Sequence, residues 1–128
     1  MILPNIETFI GCESSFEEAS IVLYGAPFDS TTSFRPGARF GPAAMRHESF
    51  GLETYSPYQD RDLMDIRVFD SGDLELCFGS SEMALSDIEK RAEEILKAGK
   101  FPLLLGGEHL VTLAAVRAMA AKYPDLHI

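Results

Sequence analysis

The segment Phe101-Pro102-Leu103-Leu104-Leu105-Gly106-Gly107-Glu108-His109 indicates the fold class more strongly than any other part of this sequence. Its first five residues are almost wholly apolar, which is typical of a strand buried on both faces of a parallel sheet. The two glycines allow a sharp turn, and residues 110–122 then carry a helical pattern that Tyr123 and Pro124 end. The segment therefore predicts a strand, a tight turn and a helix, the repeating unit of α/β proteins.

Two similar strand and helix pairs precede this unit. Residues 21–25 form a short apolar run that stops at a loop, residues 30–40, rich in Ser, Thr, Gly and Pro. Pro42 suits the first turn of a helix, because the N–H that it lacks would be unsatisfied there anyway. Residues 67–70 form a second strand candidate, and the turn-prone residues 71–73 are expected to close it.

The clearest single element is a helix predicted over residues 81–97. Its apolar residues recur at intervals of three and four: Leu85, Ile88, Ala92, Ile95 and Leu96. That spacing gives the helix one apolar face. Ser80 or Ser81 can cap its start, Lys97 suits the negative end of its dipole, and Gly99 can adopt the left-handed conformation that ends it.

The predicted elements alternate as strand, helix, strand, helix, strand, helix, and residues 126–128 begin a further strand. This alternation predicts a parallel sheet with right-handed crossovers, in one domain or part of one that spans residues 1–128. A strand that has barely begun would leave apolar helix faces and backbone groups without partners. We therefore expect the chain to be a truncated form of a longer domain.

The composition limits the classes of partner. A net charge of −9 repels a phosphate backbone, so nucleic acid is not an expected partner. The apolar runs fall far short of the ~20 residues needed to cross a bilayer, and residues 1–7 lack the pattern of a signal peptide. The expected location is the cytoplasm, with no membrane as partner. Cys12 and Cys77 are expected to be free thiols without a role.

His109 is the residue best suited by position to bind a ligand. It lies just past the carboxyl end of a predicted buried strand and at the start of a helix, where α/β proteins bind ligands. The glycines let the backbone approach a bound group, and the imidazole can coordinate a metal ion. Two other interpretations stay open. The turn can be a helix-capping loop in which Glu108 favours the positive helix end and His109 is only a polar surface residue. Alternatively, the glycine N–H groups can bind a phosphate, although Glu108 would repel an anion.

Other polar residues carry weaker signals. Asp70, Asp73 and Glu75 form an acidic cluster after a strand, suited to a hard cation but more typical of a solvated turn. His47 lies in a predicted helix and His127 on the last strand. Neither histidine has a partner at the spacing of a metal site, so we expect both to be structural.

The residues from Phe101 to His109 resemble the first metal-ligand motif of the ureohydrolase family, which includes arginase and agmatinase. The segments Gly25-Ala26-Pro27-Phe28-Asp29 and Thr32-Ser33-Phe34-Arg35-Pro36-Gly37-Ala38-Arg39-Phe40-Gly41-Pro42 look like the agmatinase branch in particular. The three matches occur in the family's order and are spread over most of the chain. Together they are much more specific than one pair of glycines.

This resemblance implies a three-layer α/β/α fold with a mainly parallel sheet, of which residues 1–128 form the N-terminal part of a single ureohydrolase domain. It also implies a site of two manganese ions, Mn2+, bridged by a hydroxide, with His109 as the first histidine ligand. The family's other ligands belong to an Asp-x-His-x-Asp motif and a later Asp-x-Asp motif, and neither occurs in this sequence. The resemblance assigns no further catalytic or cofactor-binding residue to this chain.

The implied activity is hydrolysis of a small cationic guanidino substrate, in the first place agmatine to putrescine and urea. A guanidinium carbon resists neutral water, whereas water on a metal ionises near neutral pH. One histidine cannot hold two ions, so the chain alone is expected to be inactive. The arginase, guanidinobutyrase and formimidoylglutamase activities stay open, and the family further implies a homo-oligomer, a trimer or hexamer.

Residues of the loop before the first helix also need an interpretation. A cationic substrate gains nothing from positive neighbours, so Arg35 and Arg39 are expected to anchor the loop or contact another subunit. Asp29 can attract a cation as an exposed carboxylate, or it can hydrogen-bond loop amides. None of the three is assigned to the catalytic site.

Two alternatives belong to other functional classes. The chain can be a non-catalytic relative whose fold serves as a binding or oligomerisation module. It can also be a nucleotide-binding α/β domain, which would bind ATP or NAD instead of manganese, although the P-loop and dinucleotide fingerprints do not occur in the sequence.

Overall fold

The structure is a computed structural model that describes residues 2–3 and 5–128. Its elements are, in chain order, β1 (Ile21–Ala26), α1 (Gly41–Ser49), β2 (Tyr55–Ser56), β3 (Arg61–Asp62), β4 (Val68–Asp73), α2 (Ser81–Lys97), β5 (Phe101–Gly106) and α3 (Leu110–Lys122), with 3-10 turns at Ala38–Phe40 and Leu63–Asp65. The predicted alternation of strands and helices is confirmed, and α2 and α3 have the predicted bounds.

The main sheet has three strands in the order β4, β1, β5. Both neighbours run parallel to β1, with Ile21 opposite Val68 on one side and Phe101 on the other. The parallel sheet predicted from the sequence is therefore confirmed. A separate antiparallel pair joins β2 and β3. This pair was not predicted, because strands of two residues show no alternation of apolar and polar side chains.

Helices cover both faces of this sheet. Alternate residues of β1 point to opposite faces, and those that share a face with Val22 and Tyr24 pack against α2 and α3. This main core includes Val22, Tyr24, Ala26, Phe28, Phe69, Ile88, Ala92, Ile95, Ala114 and Ala118. On the opposite face, Arg46 of α1 reaches Asp70 of β4. The sheet thus lies between two helical layers, as expected for an α/β/α arrangement.

The strand β5 is buried less completely than its sequence predicts. Pro102 is buried, but Phe101 is 51% exposed and Leu103 is 44% exposed. Both exposed residues point to the face opposite α2 and α3, and β5 lies at the edge of the described sheet. The prediction of burial on both faces is therefore wrong for the first half of β5, because α1 covers that face mainly near the carboxyl ends of the strands.

The second main strand is longer than predicted. Residues 71–73 continue β4 instead of forming a turn. The strand irregularity between Leu23 and Gly25 brings Asp73 opposite Gly25, and Gly72 adopts a φ of 73°. The expected turn is thus a bulge inside a strand. Bulges and chain reversals use the same residue types, so the sequence alone does not distinguish them.

Residues 126–128 do not form the strand that the sequence analysis predicts. Leu126 donates its amide to the carbonyl of Tyr123 at 3.0 Å, which makes a turn after α3. A short apolar stretch becomes a strand only where another strand offers backbone partners. Within residues 2–3 and 5–128 these three residues pair with no strand.

The termini of α2 follow the predicted chemistry. The Ser80 hydroxyl accepts a hydrogen bond from the amide of Met83 at 3.3 Å, and Gly99 has a φ of 75° after the last turn.

Among the described residues, no helix has the length and apolarity needed to cross a membrane.

A buried ion pair fixes α1 to the sheet. The Asp70 carboxylate accepts from Arg46 at Nε (2.8 Å) and Nη2 (3.0 Å), and it also accepts from the amides of Phe9 and Gly72. A second carboxylate, that of Asp73, binds Arg46 Nη1. Asp70 is 1% exposed and Arg46 is 2% exposed. The interpretation of Asp70 as part of a solvated turn is therefore wrong, because a guanidinium and two amides satisfy it inside the protein.

We expect Arg46→Met to destabilise the fold strongly. Loss of one partner from a buried pair leaves an uncompensated charge, which typically costs about 3–5 kcal/mol. Urea denaturation gives the free energy of unfolding. The control is Lys97→Met, which removes an exposed pair with Glu93 and should cost less than about 1 kcal/mol. Equal effects of the two variants would contradict a structural role for the Arg46 pair.

Candidate functional site

The turn that carries His109 lies at the carboxyl edge of the sheet, beside the end of β1. Because β1 and β5 are parallel neighbours, both chains leave the sheet at the same edge. The amide of Gly107 donates to the Ala26 carbonyl at 3.2 Å, and the amide of Glu108 donates to the Phe28 carbonyl at 2.8 Å. The turn after β5 is therefore bound to the backbone that leaves β1.

Gly107 permits this close approach because it has no side chain. A Cβ at this position would lie 2.3 Å from the Phe28 carbonyl oxygen and 2.6 Å from that of Ala26. Backbone atoms cannot shift to relieve such contacts as a flexible side chain can. The double glycine was expected to let the backbone approach a bound group. In the structure, Gly107 approaches the neighbouring strand's backbone instead.

Glu108 connects the turn to the loop of residues 30–40. Its Oε1 accepts from the Thr31 amide at 3.0 Å and from the Thr31 hydroxyl at 2.7 Å. Glu108 thus binds a distant loop in addition to placing a negative charge at the positive end of a helix. The two hydrogen bonds join segments that are 77 residues apart in the sequence.

His109 has an exposed imidazole at the position just before α3. Its backbone is helical, with φ −56° and ψ −32°, and among the described residues its side chain makes no capping hydrogen bond. An exposed imidazole fits both a metal ligand and a polar surface residue, so the metal-ligand interpretation of His109 stays a prediction. The imidazole borders an open depression of about 580 Å³ lined by Thr31, Thr32, Ser33, Phe34, Glu108, His109, Leu110 and Leu113.

Asp29 closes the base of the loop and is buried. Its carboxylate accepts from the amides of Gly37 (2.6 Å) and Arg39 (3.2 Å) and from Nε of Arg39 (2.6 Å). Burial alone would raise the pKa of Asp29, but the hydrogen bonds from these two amides and from the Arg39 guanidinium outweigh it. They hold the pKa below its ordinary value of 3.8. Asp29 therefore hydrogen-bonds loop amides, the second of the two roles considered for it.

The two arginines of the loop have different surroundings. Arg39 pairs with Asp29 and lies over the Phe78 ring at 4.6 Å from its centroid, so the expectation that it anchors the loop is confirmed. Arg35 is exposed, has a φ of 48° and lies 5.1 Å from the centroid of the Phe34 ring.

The remaining titratable candidates lie apart from His109. His47 is exposed, with its Nδ1 3.2 Å from Oε1 of Glu7, and His127 is exposed after α3. Burial, followed by the charge of Asp70, raises the pKa of the Cys12 thiol to about 11. Cys77 is partly buried, and both cysteines are free thiols as predicted.

The donor set for a metal ion is small in this chain. Within residues 2–3 and 5–128, no group of three or more His, Cys, Asp or Glu side chains is arranged to hold a metal ion. Asp29 and Asp70 are occupied by arginines, whereas the His109 imidazole is exposed. These residues can supply one nitrogen ligand to a metal site, and a complete site needs more.

With this geometry in place, comparison with known proteins is informative. Residues 19–128 match the model of the arginase family. The chain belongs to the arginase family.

Individual relatives agree with this assignment. Agmatinase from Bacillus anthracis is 54% identical over 122 residues, which are 95% of this chain and 42% of that protein. Agmatine ureohydrolase of Thermoplasma volcanium has a crystal structure that matches with a TM-score of 0.83 at 33% identity, over 89% of this chain and 39% of that one. A structure of formiminoglutamase from Trypanosoma cruzi with Mn2+ matches with a TM-score of 0.77 at 28% identity. The match covers 91% of this chain and 42% of that one.

These comparisons confirm the predicted α/β fold class and the predicted family. The chain spans about two fifths of the length of the relatives that it matches. The arginase-family match covers β1, the loop after it, the turn at Gly107 and His109.

Sequence reasoning missed the residues that position this turn. Thr31 lies in a loop rich in hydroxyl residues, and no spacing or periodicity links it to Glu108. The backbone of Phe28 accepts from the turn irrespective of its side chain. The only local signal was the double glycine, which indicates a close approach but does not identify what is approached.

We expect Gly107→Ala to destabilise the protein and disturb the His109 turn. The added Cβ would overlap the β1 backbone, and overpacking of this kind typically costs about 1–3 kcal/mol. The urea midpoint measures the loss. Gly79→Ala is the matched control, because a Cβ at Gly79 meets nothing within 4 Å. A Gly107→Ala protein as stable as the Gly79→Ala protein would contradict the packing described for this turn.

Proposed function

We propose that this chain forms the first part of a metal-dependent guanidino hydrolase that converts agmatine to putrescine and urea. The observation that carries the proposal is the exposed His109 imidazole, held at the carboxyl edge of a parallel sheet by a turn bonded to β1. The 54% identity to an agmatinase over nearly the whole chain supports agmatine as the substrate. Because the chain spans only part of its relatives' length, the activity is proposed for the whole protein.

His109 would act as one ligand of a manganese site. When bound, manganese supplies a nucleophile near neutral pH by lowering the pKa of water, and imidazole and carboxylate groups suit this metal. The proposal of manganese rests on the metal in the related formiminoglutamase structure. The further ligands would come from residues outside this chain, which is why we propose that the chain alone is inactive.

The residues of this chain would orient the site. The hydrogen bonds from Gly107 to the last residue of β1 and from Glu108 to Phe28 fix the direction in which the helix after His109 begins. We further propose a cytoplasmic location and, on the strength of the family resemblance, a homo-oligomer, a trimer or hexamer.

We expect the whole protein to release urea from agmatine when manganese is added, and the chain of 128 residues to release none. His109→Ala should lower kcat/KM by at least about 100-fold, because loss of outer-shell partners alone often costs 10–100-fold. A coupled urea assay measures both.

The matched control is His47→Ala, which removes another exposed imidazole and should leave turnover within about twofold of the parent protein. Full turnover of the His109→Ala protein would refute the ligand role. A higher kcat/KM for arginine than for agmatine would refute the proposed substrate. Absence of urea release from every guanidino compound would favour the non-catalytic binding module.

A further inference from the structure

We propose that the Thr31–Glu108 contact is a positioning contact that holds the loop of residues 30–40 as one wall of the substrate site beside His109. Through this wall it would set the affinity for the tail of the substrate. The inference rests on the proposed function, because it assumes that a guanidino compound binds next to His109.

The loop is fixed at two places. At its base, the buried Asp29 carboxylate accepts from the amides of Gly37 and Arg39. At its start, Thr31 donates both its amide and its hydroxyl to Glu108. The first contact closes the loop on itself, whereas the second joins it to the residue directly before His109. Among the hydrogen bonds of the described residues, the Thr31–Glu108 contact is therefore the one that relates the position of the loop to that of the imidazole through side chains.

The depression between these segments has the chemistry of a site for an alkyl chain. Loop residues from Thr31 to Phe34 line it together with Leu110 and Leu113 of α3. Phe34 is 78% exposed and Leu113 is 41% exposed. A methylene chain that extends from a guanidino group at His109 would cover these apolar side chains, which removes apolar surface from water.

The contact should act on binding more than on the chemical step. Without it, the loop would have to be ordered when the substrate binds, and that ordering lowers affinity. A loss of uniform binding raises KM and leaves kcat unchanged. A defect in the metal ligand would have the opposite pattern, with reduced kcat and reduced manganese affinity.

The test compares Glu108→Ala with Glu82→Ala, which removes an exposed glutamate from the first turn of another helix, α2. In Glu108→Ala we expect KM for agmatine to rise roughly tenfold, the effect of one hydrogen bond to a charged group, with kcat within about twofold. Manganese affinity should not change. Glu82→Ala should match the parent protein in all three quantities.

Hydrogen–deuterium exchange of the amides gives a readout that does not require activity. In Glu108→Ala the Thr31 amide should exchange faster, because it loses its acceptor. The amides of Gly37 and Arg39 should keep their protection, because Asp29 still accepts from them. This internal reference separates loss of the contact from general unfolding.

Two milder variants keep the test decisive if Glu108→Ala folds poorly. Glu108→Gln retains an acceptor oxygen and should recover most of the affinity. Thr31→Val removes the hydroxyl donor but keeps the amide, so it should raise KM by a smaller factor. Combined with Glu108→Ala it should add nothing, because both changes remove the same contact.

The proposal is overturned if the Thr31 amide exchanges at the parent rate in Glu108→Ala. It is also overturned if kcat and manganese affinity fall while KM stays constant, since Glu108 would then act on His109 instead of the loop. If the parent protein releases no urea from agmatine, the proposed function fails by itself, and the exchange rates still decide whether Glu108 holds the loop.

Discussion

The close contact between Gly107 and the backbone that leaves β1 is the constraint on which the candidate site depends. A Cβ at this position would lie 2.3 Å from the Phe28 carbonyl oxygen, so the turn can lie against β1 only if residue 107 is glycine. This contact places the Glu108 amide against the Phe28 carbonyl and the Glu108 carboxylate within reach of Thr31. It also leaves the His109 side chain exposed. The site is therefore built on a backbone contact between parallel strands.

Titratable residues in or just after the strands of this sheet differ in whether they have partners. Asp29 follows β1 and Asp70 lies in β4, and each carboxylate is buried against an arginine and backbone amides. Burying such carboxylates without partners would be costly, so both are committed to the fold. His109 follows β5 and has an exposed imidazole. Of these three residues, all within the described part of the chain, His109 is the one whose side chain is left for a ligand.

The sequence predicted those features that depend on local patterns. Apolar periodicity was enough to predict the helix α2. The glycines after an apolar run were enough to predict the strand β5 and the turn that follows it. Contacts between distant segments were not predictable. Arg46 and Asp70 are 24 residues apart and Thr31 and Glu108 are 77 apart, and no spacing rule links them. The length of β4 was missed because a bulge and a turn use the same residue types.

Anomalous X-ray diffraction at the manganese edge, on crystals of the whole protein grown with Mn2+, tests the central claim most directly. If the imidazole after the double glycine is a metal ligand, an anomalous peak will lie about 2–2.5 Å from a ring nitrogen of His109, the usual range for metal–ligand bonds. A fully occupied manganese site elsewhere, with no peak beside this imidazole, would contradict the account.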